Sequence, residues 1–234
     1  MEYRNFLLAS LRADDAAVLA PRLKEVTLTF GQVLFEPDDE LHTLYFPSSA
    51  CISVVAQMQD GKTLEIATIG RESAGGLLDV MSGARSGTRQ FIQISGTALT
   101  LPAPLFRARM AQSPELLHLA LSHVRATVRQ AETSLACNLA HTADGRLARW
   151  LLMTQDRVGS PTFPLTQDLM AIMTGVQRST VSQLAHALKT AGVIHYARGQ
   201  VTVVDRQRLI DSACECYGTV NQLFEDLRGK TPPH

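Results

Sequence analysis

From Val26 to Pro102 the chain alternates short apolar runs with turn signals. The runs are VTLTF, QVLFE, HTLYF, ISVVAQM, TLEIATI, QFIQIS and TALTL, punctuated by Pro37-Asp38-Asp39, Asp60-Gly61 and Ser95-Gly96. Many short β-rich segments at this spacing predict a small barrel or jelly roll. Ahead of them, Asn5 to Glu25 has the apolar spacing of a helix, interrupted near Pro21. Behind them the period lengthens into one long helix. Ser113 suits its N-cap, Pro114 its first position, and Glu115 the positive end of its dipole.

Along that helix Leu117, Leu121, Val124, Val128, Ala131, Leu135 and Asn138 recur at alternating steps of four and three. They form an apolar seam of three heptads with one polar member near its end. Leu116, Leu119 and Ala120 add a second strip, so the helix can face its own barrel and a partner together. A homodimer through this seam is expected.

His141-Thr142-Ala143-Asp144-Gly145 reads as a hinge, and Leu147 to Arg157 as a helix ended by Gly159-Ser160-Pro161. Thr166 can cap a helix from Gln167 to Thr174. Gly175 breaks it, and a second helix runs from about Gln177 to Thr190 with Gly192 at its end. VIHYA and QVTVV then flank Arg198-Gly199, a hairpin turn. A helix, a helix-turn-helix and a β-hairpin make a winged helix. Asp205 can cap a final amphipathic helix from Arg206 to about Arg228, which either covers the winged helix or adds to the dimer. The expected fold class is α+β: an N-terminal β-roll or jelly roll (1–112), a long dimerisation helix and hinge (113–142), and a C-terminal winged helix-turn-helix (143–234).

The helix-turn-helix carries the chemistry. Leu169, Ile172, Met173, Val176, Val181, Leu184 and Leu188 supply its inner face, which leaves the start of the second helix pointing outward. Gln177, Arg178, Ser179, Thr180 and Ser182 stand there, a polar and basic row that packing does not demand. Arg178 is the candidate for a bidentate contact to guanine, which contributes about 1–3 kcal/mol of discrimination. Ser179, Ser182 and Gln183 can read bases, directly or through water. Thr166, Gln167, Thr180, Lys189 and Arg198 suit phosphates.

Net charge is zero over 234 residues, but it is unevenly spread. Residues 1–140 carry 12 Lys/Arg and 14 Asp/Glu, whereas residues 141–208 carry 8 and 4. The positive segment is the one that holds the helix-turn-helix, which agrees with a duplex DNA partner. The first thirty residues lack a signal peptide's features and no apolar run reaches membrane-spanning length. Cytoplasm, with no membrane partner, is the expected location.

The segment LTQDLMAIMTGVQRSTVSQLAHALKTAGVI…RGQVTVVDRQRL closely resembles the winged helix of the Crp/Fnr superfamily of bacterial transcription regulators. The upstream order of β-roll and long helix is similar to that family's cyclic-nucleotide-binding-like domain and dimer helix. The resemblance implies a dimer that binds a palindromic site through two half-sites about one helical turn apart, and that acts through RNA polymerase. Many family members have glutamate where Ser179 stands and arginine where Gln183 stands, so a different site is expected. In members that bind cyclic nucleotides, a glycine-glutamate-leucine turn and an arginine-serine pair hold the ligand. Here Gly75, Gly76 and Leu77 fall at the turn, with Gly76 in the glutamate's place, and Arg85 and Ser86 are the candidate phosphate pair. The sensor is therefore expected not to bind cyclic AMP, and its effector is unknown.

No cysteine precedes Cys51, so the N-terminal cysteine cluster of an iron–sulfur sensor is missing. Cys214 and Cys216, two apart on the expected final helix, would point to opposite faces. Cys51, Cys137, Cys214 and Cys216 read as buried reduced thiols, and the seven histidines as dispersed, so no metal site is expected. The β region holds only His42 and no histidine–carboxylate set, which argues against an enzyme. The alternative function is an effector-binding interaction module whose winged helix contacts protein.

Overall fold

The computed structural model describes residues 3–61 and 63–228. Helices α1 (Phe6–Ala9) and α2 (Ala13–Leu19) and a 3₁₀ turn (Ala20–Arg22) lead into strands β1 (Lys24–Leu28), β2 (Val33–Phe35), β3 (Thr43–Pro47), β4 (Cys51–Gln57) and β5 (Thr63–Ile69). Helix α3 (Leu77–Ser82) precedes β6 (Arg89–Ile94) and β7 (Gly96–Pro102), and α4 (Ala103–Met110) follows. The helix expected from Asn5 to Glu25 is broken between Ala9 and Ala13 as well as near Pro21, and Lys24 and Glu25 depart from it altogether. They pair antiparallel with Thr100 and Leu99 of β7, a tertiary ladder that overrides local periodicity.

The strands form two antiparallel sheets, in the orders β1-β7-β3 and β2-β6-β4-β5. Leu28 and Ala98 from the first meet Ile52, Ile69 and Ile92 from the second in one buried cluster. Helices α3 and α4 lie outside the elements that the pattern predicts; each spans fewer than nine residues, too short for a periodic signal. Phe106 of α4 is fully buried against Phe46.

The long helix α5 (Pro114–Ala140) begins as expected: Ser113 Oγ accepts from the Leu116 amide at 3.1 Å and donates to the Asp15 carboxylate at 3.0 Å. After His141 and Thr142 comes α6 (Ala143–Val158), four residues longer at its start than the pattern suggested. Then follow β8 (Thr162–Pro164), α7 (Gln167–Thr174), α8 (Arg178–Thr190), β9 (Ile194–Ala197) and β10 (Gln200–Val203). Strand β8 adds a third member to the hairpin, in the order β8-β10-β9.

The single C-terminal helix expected over 206–228 is instead two, α9 (Arg206–Ser212) and α10 (Cys216–Arg228). Ala213 turns extended, and the new direction lays α10 across α5 and α6 with Tyr217, Val220 and Phe224 in the core. Cys214 and Cys216 thus lie at a corner rather than on opposite faces, because no continuous helix joins them.

The barrel, α5 and the C-terminal domain converge on one buried cation. Arg157 of α6 donates from Nε to Glu72 Oε1 at 2.7 Å, from Nη2 to Gln130 Oε1 of α5 at 2.6 Å, and from Nη1 to the Met153 carbonyl. Gln130 Nε2 in turn donates to the Thr68 carbonyl of β5. Both charges are nearly sequestered, with side-chain exposures of 5% and 7%. Burying two ions costs several kcal/mol each, and removing one partner of such a pair typically costs about 3–5 kcal/mol. Gly70 makes room: a Cβ there would sit 2.7 Å from Arg157 Cγ.

A second contact ties the domains. Trp150 Nε1 of α6 donates to Glu65 Oε2 of β5 at 2.9 Å, while Ser53 and Thr68 donate to Oε1. Ser53, Thr68 and Trp150 are all buried, so the carboxyl end of Glu65 is cut off from water although the residue as a whole is half-buried. Burial raises its pKa from 4.5 to about 7, against the lowering pull of those hydrogen bonds and of Arg157. A carboxyl raised on folding binds its proton more tightly in the folded chain, so stability falls as pH rises from 4.5 to about 7 and levels off above. Urea unfolding across that window should show this loss in the native chain, and Glu65→Gln should remove it. Equal pH slopes in both proteins would contradict the assignment.

Candidate nucleic-acid interface

The helix-turn-helix is built from caps and one glycine. Thr166 Oγ1 accepts from the Leu169 amide at 3.2 Å and starts α7. Gly175 ends it at φ 66°, a left-handed conformation that costs a side-chain-bearing residue roughly 1–2 kcal/mol. Val181 and Ala185 of α8 are buried, and Leu184 and Leu188 pack half-buried on the core that holds Leu169, Met170 and Met173. This inner face was legible from spacing.

The opposite side of α8 is open. Gln177, Arg178, Ser179 and Gln183 are exposed, and Thr180 and Ser182 half-buried. Gln177 is the N-cap residue, so the helix proper begins at Arg178. Arg178 Nε lies 3.3 Å from Asp168 Oδ1 of α7, with both side chains about two-thirds exposed (66% and 68%). Such a pair contributes about 0–1 kcal/mol, so the guanidinium can leave it for a stronger acceptor. Gln167 Nε2 donates to Ser182 Oγ at 3.2 Å, which brings the start of α7 against α8. Lys189 Nζ donates to the Tyr196 carbonyl, and so ties α8 to the hairpin.

At the hairpin tip Arg198 and Gly199 have φ of 51° and 71° between the paired Ala197 and Gln200. Positive φ at both central residues is the signature of a type I′ turn, where asparagine or glycine is favoured. An exposed arginine in that position is held against its conformational preference.

The candidate sensor residues are only partly assembled. A cavity of about 230 Å³ lies between β5, α3 and α5, lined by Ile66, Ala67, Gly76, Leu77, Thr127 and Val128 among others. Gly76 has φ +79° and no space for a side chain, since a Cβ would meet Leu41 at 2.8 Å. Gly75 instead pairs through its backbone with Tyr45. Arg85 is exposed and donates to the Asp38 carbonyl at 2.6 Å, and Ser86 Oγ donates to the Thr88 carbonyl. Neither lines the cavity, and among the described residues no Arg or Lys does.

The α5 seam divides from the helix's buried stripe. Leu116, Ala120, His123, Ala126, Gln130 and Cys137 are buried within the chain, while Leu117, Leu121, Val128 and Leu135 remain exposed. Val124, Ala131 and Asn138 are half-buried. Leu139, outside the heptad series, is exposed as well.

Replacing Arg198 by Asn should relieve the turn and raise stability by about 1 kcal/mol, read as a higher urea midpoint at unchanged slope. A lower midpoint would mean that the arginine is not strained there.

Among the described residues no helix is long and apolar enough to cross a membrane. Residues 145–212 match the family model of the Crp-like helix-turn-helix domain. A CRP-like cAMP-activated global transcriptional regulator of Mycobacterium tuberculosis is 24% identical over 201 residues, covering 82% of this chain and 89% of that protein. A global nitrogen regulator of Synechocystis is 25% identical over 207 residues, covering 84% and 91%. The solved structure of FixK2 from Bradyrhizobium japonicum shares the fold with a TM-score of 0.71 at 17% identity, over 82% of this chain and 98% of that one. Residues 145–212 are therefore a Crp-like helix-turn-helix domain, and the chain as a whole is similar to transcription regulators of the Crp/Fnr type.

Proposed function

We propose that two copies of this chain pair through α5 and bind a palindromic duplex, with the amino end of each α8 in a major groove. The observation that carries the reading is the division of α8: its apolar side is buried on α7, and Arg178, Ser179 and Gln183 are exposed on the other side. Arg178 reads guanine, Gln177, Ser179, Ser182 and Gln183 read or bridge to neighbouring bases, and Thr166, Gln167, Thr180, Lys189 and Arg198 hold phosphates. Lys189 and Arg198 extend the cationic surface from helix to hairpin. The dimer then acts on transcription through RNA polymerase in the cytoplasm.

The exposed Leu117, Leu121, Val128 and Leu135 support the pairing, because together they leave an apolar stripe on the single chain that a parallel partner would cover. The sensor half takes a ligand other than cyclic AMP, or none. A cyclic phosphate needs a cation or converging donors; the cavity is walled mainly by apolar side chains, and Arg85 is engaged elsewhere. The M. tuberculosis relative's activation by cAMP therefore does not carry over.

Binding-site selection followed by titration tests the readout. Arg178→Ala should lose about 1–3 kcal/mol at the guanine position and relax preference there. Lys189→Ala should weaken all sequences alike and lower the salt slope by about one. An Arg178→Ala protein with undiminished preference at every position would overturn the assignment.

Leu121→Glu places like charges on the twofold seam at a site exposed in the single chain. It should yield a folded monomer by light scattering that has lost affinity for the full palindrome. A dimer of unchanged mass would show that α5 is not the interface.

A further inference from the structure

Four side chains from two distant stretches converge beside the hinge. Cys137 lies in the last turn of α5, and His141 is its C-cap residue four positions on, on the same face. Cys214 and Cys216 flank the corner between α9 and α10. Their ligand atoms all lie within 4.8 Å of one another. Cys137 Sγ is 3.4 Å from Cys214 Sγ, and Cys216 Sγ is 3.6 Å from His141 Nδ1. A tetrahedral zinc ion, with bonds of about 2.3 Å to sulfur and about 2.0 Å to nitrogen, sets ligand edges of roughly 3.5–3.8 Å. The cluster already has close to that spacing.

Two neighbours favour an ion over a chance group of thiols. His141 Nε2 lies 3.0 Å from Glu215 Oε1 while its Nδ1 faces the sulfurs, the carboxylate–histidine arrangement that orients metal-bound imidazole. Arg149, 4% exposed, reaches Ser134 Oγ of α5 and Met153 Sδ only at 3.5 Å from Nη1, and its Nε has no hydrogen-bond partner among the described residues. Three thiolates and a neutral histidine around a divalent cation carry a net charge of −1, which would compensate that buried guanidinium.

We propose that Cys137, His141, Cys214 and Cys216 bind one tetrahedral zinc ion that clamps the end of α5 to the C-terminal domain across the hinge. The sequence signal was present as Cys137-x-x-x-His141 and Cys214-x-Cys216, but 72 residues separate the halves and the expected unbroken helix held the second pair apart. The ligands give up protons on binding, so affinity falls as pH is lowered. The ion would fix the angle between the dimer helix and the winged helix, so the clamp is independent of which DNA sequence is read.

The test counts metal rather than DNA complexes. The full chain, purified without chelator and dialysed against metal-free buffer, should retain one zinc per chain by mass spectrometry. Cobalt(II) added to the stripped protein should give the visible bands and near-ultraviolet sulfur charge-transfer band of tetrahedral thiolate coordination. Cys214→Ser and Cys216→Ser should each abolish both signals, while Cys51→Ala, in the barrel, should keep them. Should the serine variants fail to fold by circular dichroism, Glu215→Gln decides in their place, with affinity lowered about 10–100-fold. Failure of the native chain to retain zinc would overturn the proposal. So would retention by a folded Cys214→Ser variant, iron with labile sulfide in place of zinc, or a Cys137–Cys214 disulfide in protein kept under reducing conditions.

Discussion

A guanidinium sealed away from water sets the terms for the rest of this molecule. Arg157 can be buried only if a carboxylate and further acceptors meet it, and those groups come from three places in the chain: Glu72 after β5, Gln130 in α5 and Met153 in its own helix. The barrel, the long helix and the winged helix therefore cannot drift apart independently, because separating any one of them leaves a charge or an amide unpaired in a low-dielectric interior. The Phe224 ring lies 5.7 Å from the guanidinium carbon and carries the same constraint to α10.

This arrangement has a consequence for regulation. Strand β5 lines the cavity between α3 and α5 through Ile66, Ala67 and Ile69, supports Trp150 through Glu65 and packs against α7. Helix α5 lines the same cavity through Val124, Thr127 and Val128 while Gln130, one turn on, holds Arg157. A ligand that prefers one placement of these two elements would shift the winged helix by as much as it discriminates between placements. The cavity and the helix-turn-helix are thus joined by two elements and one buried cation.

Much of this was legible in the chain, and the boundary of legibility is physical. The seven strands of the roll, the capped long helix, the helix-turn-helix and the hairpin all declare themselves through period two, period 3.6 or a turn glycine. Ser113, Thr166 and Gly175 do locally what their residue types favour. What stayed hidden depends on partners remote in sequence. Lys24 and Glu25 are strand because β7 is beside them, and α3 and α4 are too short to show a period. The corner at Ala213 exists because α10 finds a surface on α5 and α6. Resemblance puts Arg85 at a phosphate site, whereas in the structure its guanidinium donates to the Asp38 carbonyl. The cysteine–histidine cluster combines two such effects, a broken helix and a long-range approach, and so left only two short, ambiguous spacings in the sequence.

The central claim is that paired α8 helices enter successive major grooves with Arg178 at the base edges. A crystal or cryo-electron microscopy structure of the full-length protein on a duplex taken from binding-site selection examines it most directly. The account predicts a twofold dimer through α5, the two α8 amino ends about 34–36 Å apart, and each Arg178 guanidinium on a guanine. A protein bound as a single chain, or with α8 directed away from the groove, would contradict it.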